Sequence, residues 1–400
     1  MAEDSKSGIA TRITHAGLDP HANHGVVNPP VYHASTILKP TLAEWNESSK
    51  PGYEGYSYGR SGTPTSRAFE KAIESLYQCH TAVAVPSGLA AITLAMLGLT
   101  KAGDHVLVTD SAYAPTRRLC NQILARYGVS VTYYDPLIGA GISELIQDNT
   151  SVVFTESPGS ITLEVQDIPA IVAAAHARGA KVVIDNTWAT AVYFNPFVHD
   201  IDVVVEAATK YISGHSDVMI GVVMAGKLLG PQLRSLSNNL GYCCGPDDLY
   251  LALRGLRTIS VRLARQQETG LVLARWFQEQ PEVARVIHPA LPGDAGHTLW
   301  QRDFCGASGL FSVVFKALPE SALAALVDGF QYFGLGASWG GYESLVMPND
   351  PRKIRTATIW DEPGTLLRFH AGLEEPADLL ADLEAGFARL RAARDSPRDH

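Results

Sequence analysis

Cysteine is scarce in this chain and falls in no pattern. The five residues, Cys79, Cys120, Cys243, Cys244 and Cys305, are odd in number and scattered, with no CxxC pair. That excludes a disulfide framework and a structural zinc site and leaves mostly buried free thiols as the expectation. Basic runs are missing too. The formal net charge is −9 and no Lys/Arg cluster forms, so nucleic acid and anionic membrane are excluded as partners. The longest apolar segment of note, "LAAITLAMLGL" at 89–99, is too short to span a bilayer. The opening "MAEDSKSGIATR" lacks the apolar core of a secretory signal, so the cytoplasm is the expected compartment. No repeat of solenoid or propeller period is found.

What is present reads as a large globular enzyme. The chain has 400 residues, 46% apolar and 18% charged, enough for two or three domains. The first sixty residues carry no sustained period and are rich in Pro, Gly, His and Tyr. They predict a segment that wraps over another surface, such as a neighbouring subunit. From Thr65, apolar residues at helical spacing (Ala68, Phe69, Ala72, Ile73, Leu76, Tyr77) predict a helix. Apolar runs at 81–85, 105–109, 129–134, 151–156, 181–185, 201–207 and 219–225 then predict seven strands. Helices are expected near 88–99, 114–127, 141–148 and 168–178 between them. Continuous apolar strands separated by helices mean a mainly parallel sheet covered on both faces. Helices dominate 229–280, with a break expected near Gly255. A smaller α+β part follows, with strands in "GLFSVVFK" and "LLRFHAGL" and helices near 319–330 and 375–394. The tail "DSPRDH" is expected to fray.

Parallel sheets place ligands beyond the C-terminal ends of their strands, so polar residues just after the apolar runs are the candidates. Four places qualify. In "AVPSGLAAI", Ser87-Gly88 opens a helix whose N–H groups could receive a phosphate, though a plain capped turn gives the same pattern. In "VVIDNTWAT", Asp185 ends an apolar run and is read either as a carboxylate needing a cation or as an N-cap. In "EAATKYISGHSD", Lys210 follows another apolar run. A solitary lysine there would snorkel, whereas one in a low-polarity cleft could form a Schiff base. In "YSYGRSGTPT", Tyr58 and Arg60 sit in a Gly-rich loop suited to clamping phosphate. One cofactor explains all four in their order: pyridoxal 5'-phosphate (PLP) needs a lysine for its aldehyde, a carboxylate for its ring nitrogen and a nest for its phosphate.

With these residues in hand, the chain resembles the Cys/Met-metabolism group of PLP-dependent enzymes, the trans-sulfuration enzymes. The likeness is carried by "YGRSGTPT", "PSGLAA", "AYAPTRRLC", "TESPGSITLEV", "VIDNTWAT", "ATKYISGHSDVMIG", "SWGGYESL" and "LLRFHAGLEEPADLLADLEAGFARL". The resemblance implies an α/β fold of the aspartate aminotransferase type (fold type I), with a seven-stranded, mainly parallel sheet. It divides the chain into an N-terminal arm (1–62) that contacts a neighbouring subunit, a large PLP-binding domain (63–257) and a smaller C-terminal α+β domain (258–400). It implies that Lys210 links to the cofactor and shuttles protons, that Asp185 pairs with the ring nitrogen, and that Tyr113 stacks on the ring and assists deprotonation. Gly88, Leu89 and Thr209 would hold the phosphate, with Tyr58 and Arg60 reaching it from the neighbouring subunit. Arg368 would clamp the substrate carboxylate beside Ser338 and Trp339.

Within the group, "ESPGS", Ala337 before "SWGG" and Trp339 are similar to the bacterial cystathionine β-lyases. That implies β-elimination from cystathionine to homocysteine, pyruvate and ammonia, in methionine biosynthesis. The alternative is a γ-acting relative, whether lyase, synthase or sulfhydrylase. A homotetramer of two dimers with shared sites is also implied. Ala207 departs from the pattern, since many relatives have Ser there, and removes one hydroxyl from the phosphate list. His80, His176, His199 and His288 are read as structural or solvated, His215 as ordering the Lys210 loop, and Trp188 as core.

Overall fold

The computed structural model describes residues 7–395 except 51, 54 and 363. The expected fraying at 396–400 lies outside the described residues. Seven strands form the first sheet: β1 (Thr81–Val85), β2 (His105–Thr109), β3 (Ser130–Tyr134), β4 (Thr150–Glu156), β5 (Lys181–Asp185), β6 (Val203–Glu206) and β7 (Gly221–Ala225). Their order is β1-β7-β6-β5-β4-β2-β3. Neighbours from β3 through β6 run parallel, and β7 runs antiparallel to both β6 and β1.

Every predicted strand is present, and β2, β6 and β7 are buried along their whole length on both faces. Alternation sends Val182, Ile184 and Val204 into one core and Val183, Val203 and Val205 into another on the opposite face. Helix Pro64–Tyr77 covers the first face with the predicted stripe, all six of whose residues are buried, and starts at a Thr63/Ser66 capping box. The same helix guards the exposed edge of β1. Glu74 and Glu70 accept the N–H groups of Ala82 and Ala84 at 3.1 and 3.2 Å, which would otherwise invite a foreign strand.

A second sheet is built from β8 (Val283–Ile287), β9 (Leu310–Phe315), β10 (Gly334–Leu335), β11 (Leu345–Asn349) and β12 (Leu366–His370), in the order β10-β11-β12-β9-β8. Helices Ile259–Gln278 and Pro376–Asp395 cover one face around Phe277, Phe311, Phe369 and Phe387. The other face sends Leu310, Val314 and Leu366 into the core beneath the large sheet. A cleft thus forms where the small sheet meets the strand ends of the large one.

Three local expectations need correction. The stretch at 114–127 is a short helix, Ala114–Arg118, followed by a π-helical turn Leu119–Leu124 and a 3₁₀ turn Ala125–Tyr127, closed by Gly128 at φ 78°. Residues near 141–148 wind only as a 3₁₀ turn, Gly139–Glu144, whose glycines and single buried residue, Ile142, give no stripe to dock. The helical break expected near Gly255 is present, at Arg257–Thr258. Gly255 lies inside the helix, and glycine is required there because a Cβ would meet the Ser213 carbonyl oxygen at 2.0 Å. Finally, the N-terminal segment contains helices Ile9–His15 and Leu42–Ser48, the second with no buried residue.

Candidate active site

The C-terminal ends of β4, β5 and β6 bring the chemistry together. Glu156 and Asp185 end β4 and β5 and face each other as a cross-strand pair. Beyond β6 the chain turns sharply, with Lys210 N–H donating to Ala207 O at 2.9 Å. Lys210 Nζ donates to Ser338 Oγ at 2.7 Å and lies 5.6 Å from the centre of the Trp339 ring. Burial lowers the Lys210 amine to about 8; nearby Arg368 pushes the same way and Asp185 opposes. A lysine so placed exchanges its proton near neutral pH.

Asp185 Oδ1 accepts the Thr187 N–H at 3.0 Å and the Thr187 hydroxyl at 2.5 Å. Thr187 Oγ1 in turn accepts Ala207 N–H at 2.9 Å, which ties the end of β5 to the chain leaving β6. Burial raises the Asp185 carboxyl above its ordinary value, and the Thr187 bonds and Lys210 oppose. A carboxylate in this position is stabilised by a cationic partner in the cleft.

Helix Gly88–Leu99 starts under the same strand ends. Ser87 Oγ caps it by accepting Ala90 N–H at 3.1 Å, and the N–H groups of Gly88 and Leu89 have no acceptor within the helix. A Cβ on Gly88 would lie 2.6 Å from Ala207 Cβ, so the close approach of the helix start to this chain needs both residues small. Thr209 is committed elsewhere: its hydroxyl donates to Ile220 O at 3.0 Å and accepts Ile220 N–H at 2.9 Å.

Tyr113 is half-exposed at the start of helix Ala114–Arg118, and its N–H donates to Glu156 Oε2 at 2.7 Å. Burial raises its hydroxyl pKa, with Arg118 and Arg368 opposing and Asp185 and Glu156 adding to the rise. Arg368, in the middle of β12, is buried and donates to Ser338 O at 3.3 Å. Burial lowers it to about 10.

Three supporting residues were not singled out by the sequence reasoning. Glu156 anchors Tyr113; burial first, then Asp185, pushes its carboxyl well up. Arg262, buried, donates to Tyr211 O at 2.8 Å and Gly255 O at 2.7 Å beneath the Lys210 loop. His370 Nε2 accepts Gly340 N–H at 3.1 Å and so holds the turn that carries Ser338 and Trp339. Only Glu156 had a signal, as the polar residue closing an apolar run. His215 orders the Lys210 loop through Ser213 O at 2.7 Å, and Trp188 packs in the core, both as expected.

Tyr58 and Arg60 stand apart. Tyr58 bridges Thr36, and Arg60 donates to Asn238 O at 2.6 Å beside a small cavity lined by Arg234, Tyr242 and Cys244. Among the described residues, no hydrogen bond or ion pair joins either to Lys210 of the same chain.

A half-buried lysine of lowered pKa, a strand-end carboxylate and an open helix N-terminus together fit PLP. The family of Cys/Met metabolism PLP-dependent enzymes matches residues 10–388. The chain belongs to this family. A protein of Rhizobium johnstonii named putative cystathionine beta-lyase is 49% identical, over 96% of this chain and 97% of that one. The Escherichia coli cystathionine beta-lyase MetC is 44% identical, over 96% and 98%. A crystal structure of cystathionine gamma synthase from Xanthomonas oryzae pv. oryzae, in complex with cystathionine, superposes with a TM-score of 0.88 at 31% identity, covering 97% of this chain and all of that one. The fold is therefore the PLP-dependent type anticipated, and the enzyme's cofactor is PLP. No helix among the described residues is long and apolar enough to cross a membrane.

Proposed function

We propose that this enzyme is a cystathionine β-lyase, cleaving the Cβ–S bond of L-cystathionine to give homocysteine, pyruvate and ammonia. The observation that carries this reading is the Lys210 amine, held at 2.7 Å from Ser338 Oγ against Trp339 and close to Arg368. The position before Ser338 is Ala337, with no carboxylate. The names of the β-lyase relatives support it.

PLP, held by Lys210, Asp185 and the Gly88–Leu89 N–H groups, supplies an electrophilic aldehyde and a sink for the electrons released at the substrate α-carbon. The chain does the rest. Arg368 fixes the substrate carboxylate by a charge-assisted contact, and its burial makes that contact stronger than at a surface. Lys210 Nζ, as the neutral amine its burial favours, takes the α-proton. Asp185 stays anionic beside the ring nitrogen, with Oδ1 fixed by Thr187. The Cβ–S electrons leave with sulfur, which takes its proton from the Lys210 ammonium, and water completes release of pyruvate and ammonia. Tyr113, kept protonated by burial, covers the site.

We further propose the division 1–62, 63–257 and 258–400, with the arm lying on a second copy. Val26, Val27, Leu38, Leu42 and Trp45 are all exposed on it, an apolar set that a lone chain leaves uncovered. Tyr58 and Arg60 would then complete the neighbour's phosphate site in a homotetramer of shared-site dimers. The free cysteines favour a reducing compartment such as the cytoplasm. Product identity tests the function: incubation with L-cystathionine gives pyruvate. Release of 2-oxobutyrate instead would assign the enzyme to the γ-acting members.

A further inference from the structure

The ends of β5 and β6 carry chemistry on both faces of the sheet. Toward the cleft they present Asp185, Thr187 and Ala207, linked by hydrogen bonds. Toward the opposite face they present Asn186 and Glu206, which meet Tyr77 from helix Pro64–Tyr77. Glu206 is fully buried, and its Oε2 accepts a close hydrogen bond from the Tyr77 hydroxyl. Tyr77 oxygen also accepts Asn186 Nδ2–H at 3.2 Å, and Asn186 Nδ2 is shared with Phe194 O at 2.9 Å. Glu206 Oε1 is buried with no hydrogen-bond partner.

Among the described residues, the titratable groups acting on Glu206 are Tyr77 from the helix and Asp185 from β5. On β7 its cross-strand partner is the apolar Val222. No cation is among these neighbours. A bare carboxylate oxygen enclosed without a cation or a donor is a costly state, and a second carboxylate nearby makes it costlier.

We propose that Glu206 is a positioning residue that works as a neutral carboxylic acid, bonded to Tyr77, so that Asp185 alone carries negative charge at this strand end toward the cofactor's ring nitrogen. Burial drives the Glu206 carboxyl up to about 8, with Asp185 adding to the rise and Tyr77 opposing it. When Glu206 ionises, a second negative charge appears behind the ring nitrogen, and the electrostatics of the site change with it. The proposal rests on the Asp185 role given above.

The test compares the wild-type holoenzyme with Glu206→Gln, which keeps the shape and the acceptor for Tyr77 but cannot ionise. A raised carboxyl keeps its proton in the fold while the unfolded chain releases it. Wild-type stability therefore falls as pH rises from about 4.3, the ordinary glutamate value, to about 8, the folded value. The melting temperature of Glu206→Gln should gain on wild type across that window by several degrees and then level off. The infrared carbonyl band of protonated carboxylic acid at pH 7 should be weaker in the variant than in wild type by the share of one carboxyl. The pH profile of kcat/KM should lose an alkaline inflection, which a purely structural residue would not supply. A melting difference independent of pH, with the acid band equal in wild type and variant, would overturn the neutral acid. Superimposable kcat/KM profiles would overturn its link to Asp185. Failure of the Asp185 role itself shows separately, as unchanged kinetics in Asp185→Ala, and leaves the infrared and melting results untouched.

Discussion

Asp110 offers the sharpest test of how the two sheets are held in working register. It follows β2, is fully buried, and gathers donors from a segment far along the chain. Arg117 Nη1 donates to it at 2.8 Å, Thr356 N–H at 3.0 Å, Thr358 N–H at 2.9 Å and the Thr358 hydroxyl at 2.8 Å. Burial pushes its carboxyl up, yet the Thr356, Thr358 and Arg117 contacts outweigh that and hold it below its ordinary value. Asp110→Asn keeps the shape and leaves the buried Arg117 without its anion. Removing one partner of such a pair costs about 3–5 kcal/mol. At roughly 2.1 cal/mol/K per residue, a chain of 400 residues unfolds with an entropy near ~0.8 kcal/mol/K, so the melting temperature should drop by about 4–6 °C. Tyr113 lies three residues on, so kcat/KM should also fall, on the order of tenfold. Because the folded Asp110 pKa is depressed, its contribution is present above the unfolded value of about 3.9 and is lost as pH falls through the folded one, so the wild-type advantage should shrink below about pH 4. Calorimetry with initial-rate assays reads all three. A drop under about 1 °C at pH 7 would refute the reasoning, since it would mean the donors do as well with water.

Three further outcomes are expected. Lys210→Ala should lose turnover and the visible absorbance of lysine-linked cofactor while phosphate contacts retain some PLP; full activity would sink the mechanism. Gly88→Ala should weaken PLP affinity at least about tenfold, since the new methyl meets Ala207 Cβ at 2.6 Å and displaces the N–H groups of the cradle; titration of apoenzyme with PLP measures this, and wild-type affinity would contradict the cradle. Mixed oligomers of Tyr58→Phe/Arg60→Ala chains with Lys210→Ala chains should recover activity absent from either alone, and no recovery in verified heterodimers would argue against a shared site.

The sequence revealed the large sheet well and the small one poorly, for a physical reason. Strands buried on both faces must be apolar throughout, so β2, β6 and β7 announce themselves as unbroken runs. β10 has two exposed residues, and β11 contains Pro348, which argues against a strand by local rules yet pairs with Leu367. Such strands exist because β12 and β9 are already in place, not because of their own composition.

The candidate site divides along the same line. Asp185 and Lys210 could be found because each follows an apolar run at a strand end, where the fold class says ligands collect. Asp110 and Arg262 could not, because their meaning lies in partners 246 and 51 positions away, Thr356 and Tyr211. Glu206 shows a subtler limit. It also closes an apolar run, one residue beyond the Val205 that pairs with Asp185, but a strand turns successive side chains to opposite faces. Proximity to a strand end therefore selects two sets of residues, one facing ligand and one facing core. Register, which only the paired sheet supplies, decides between them.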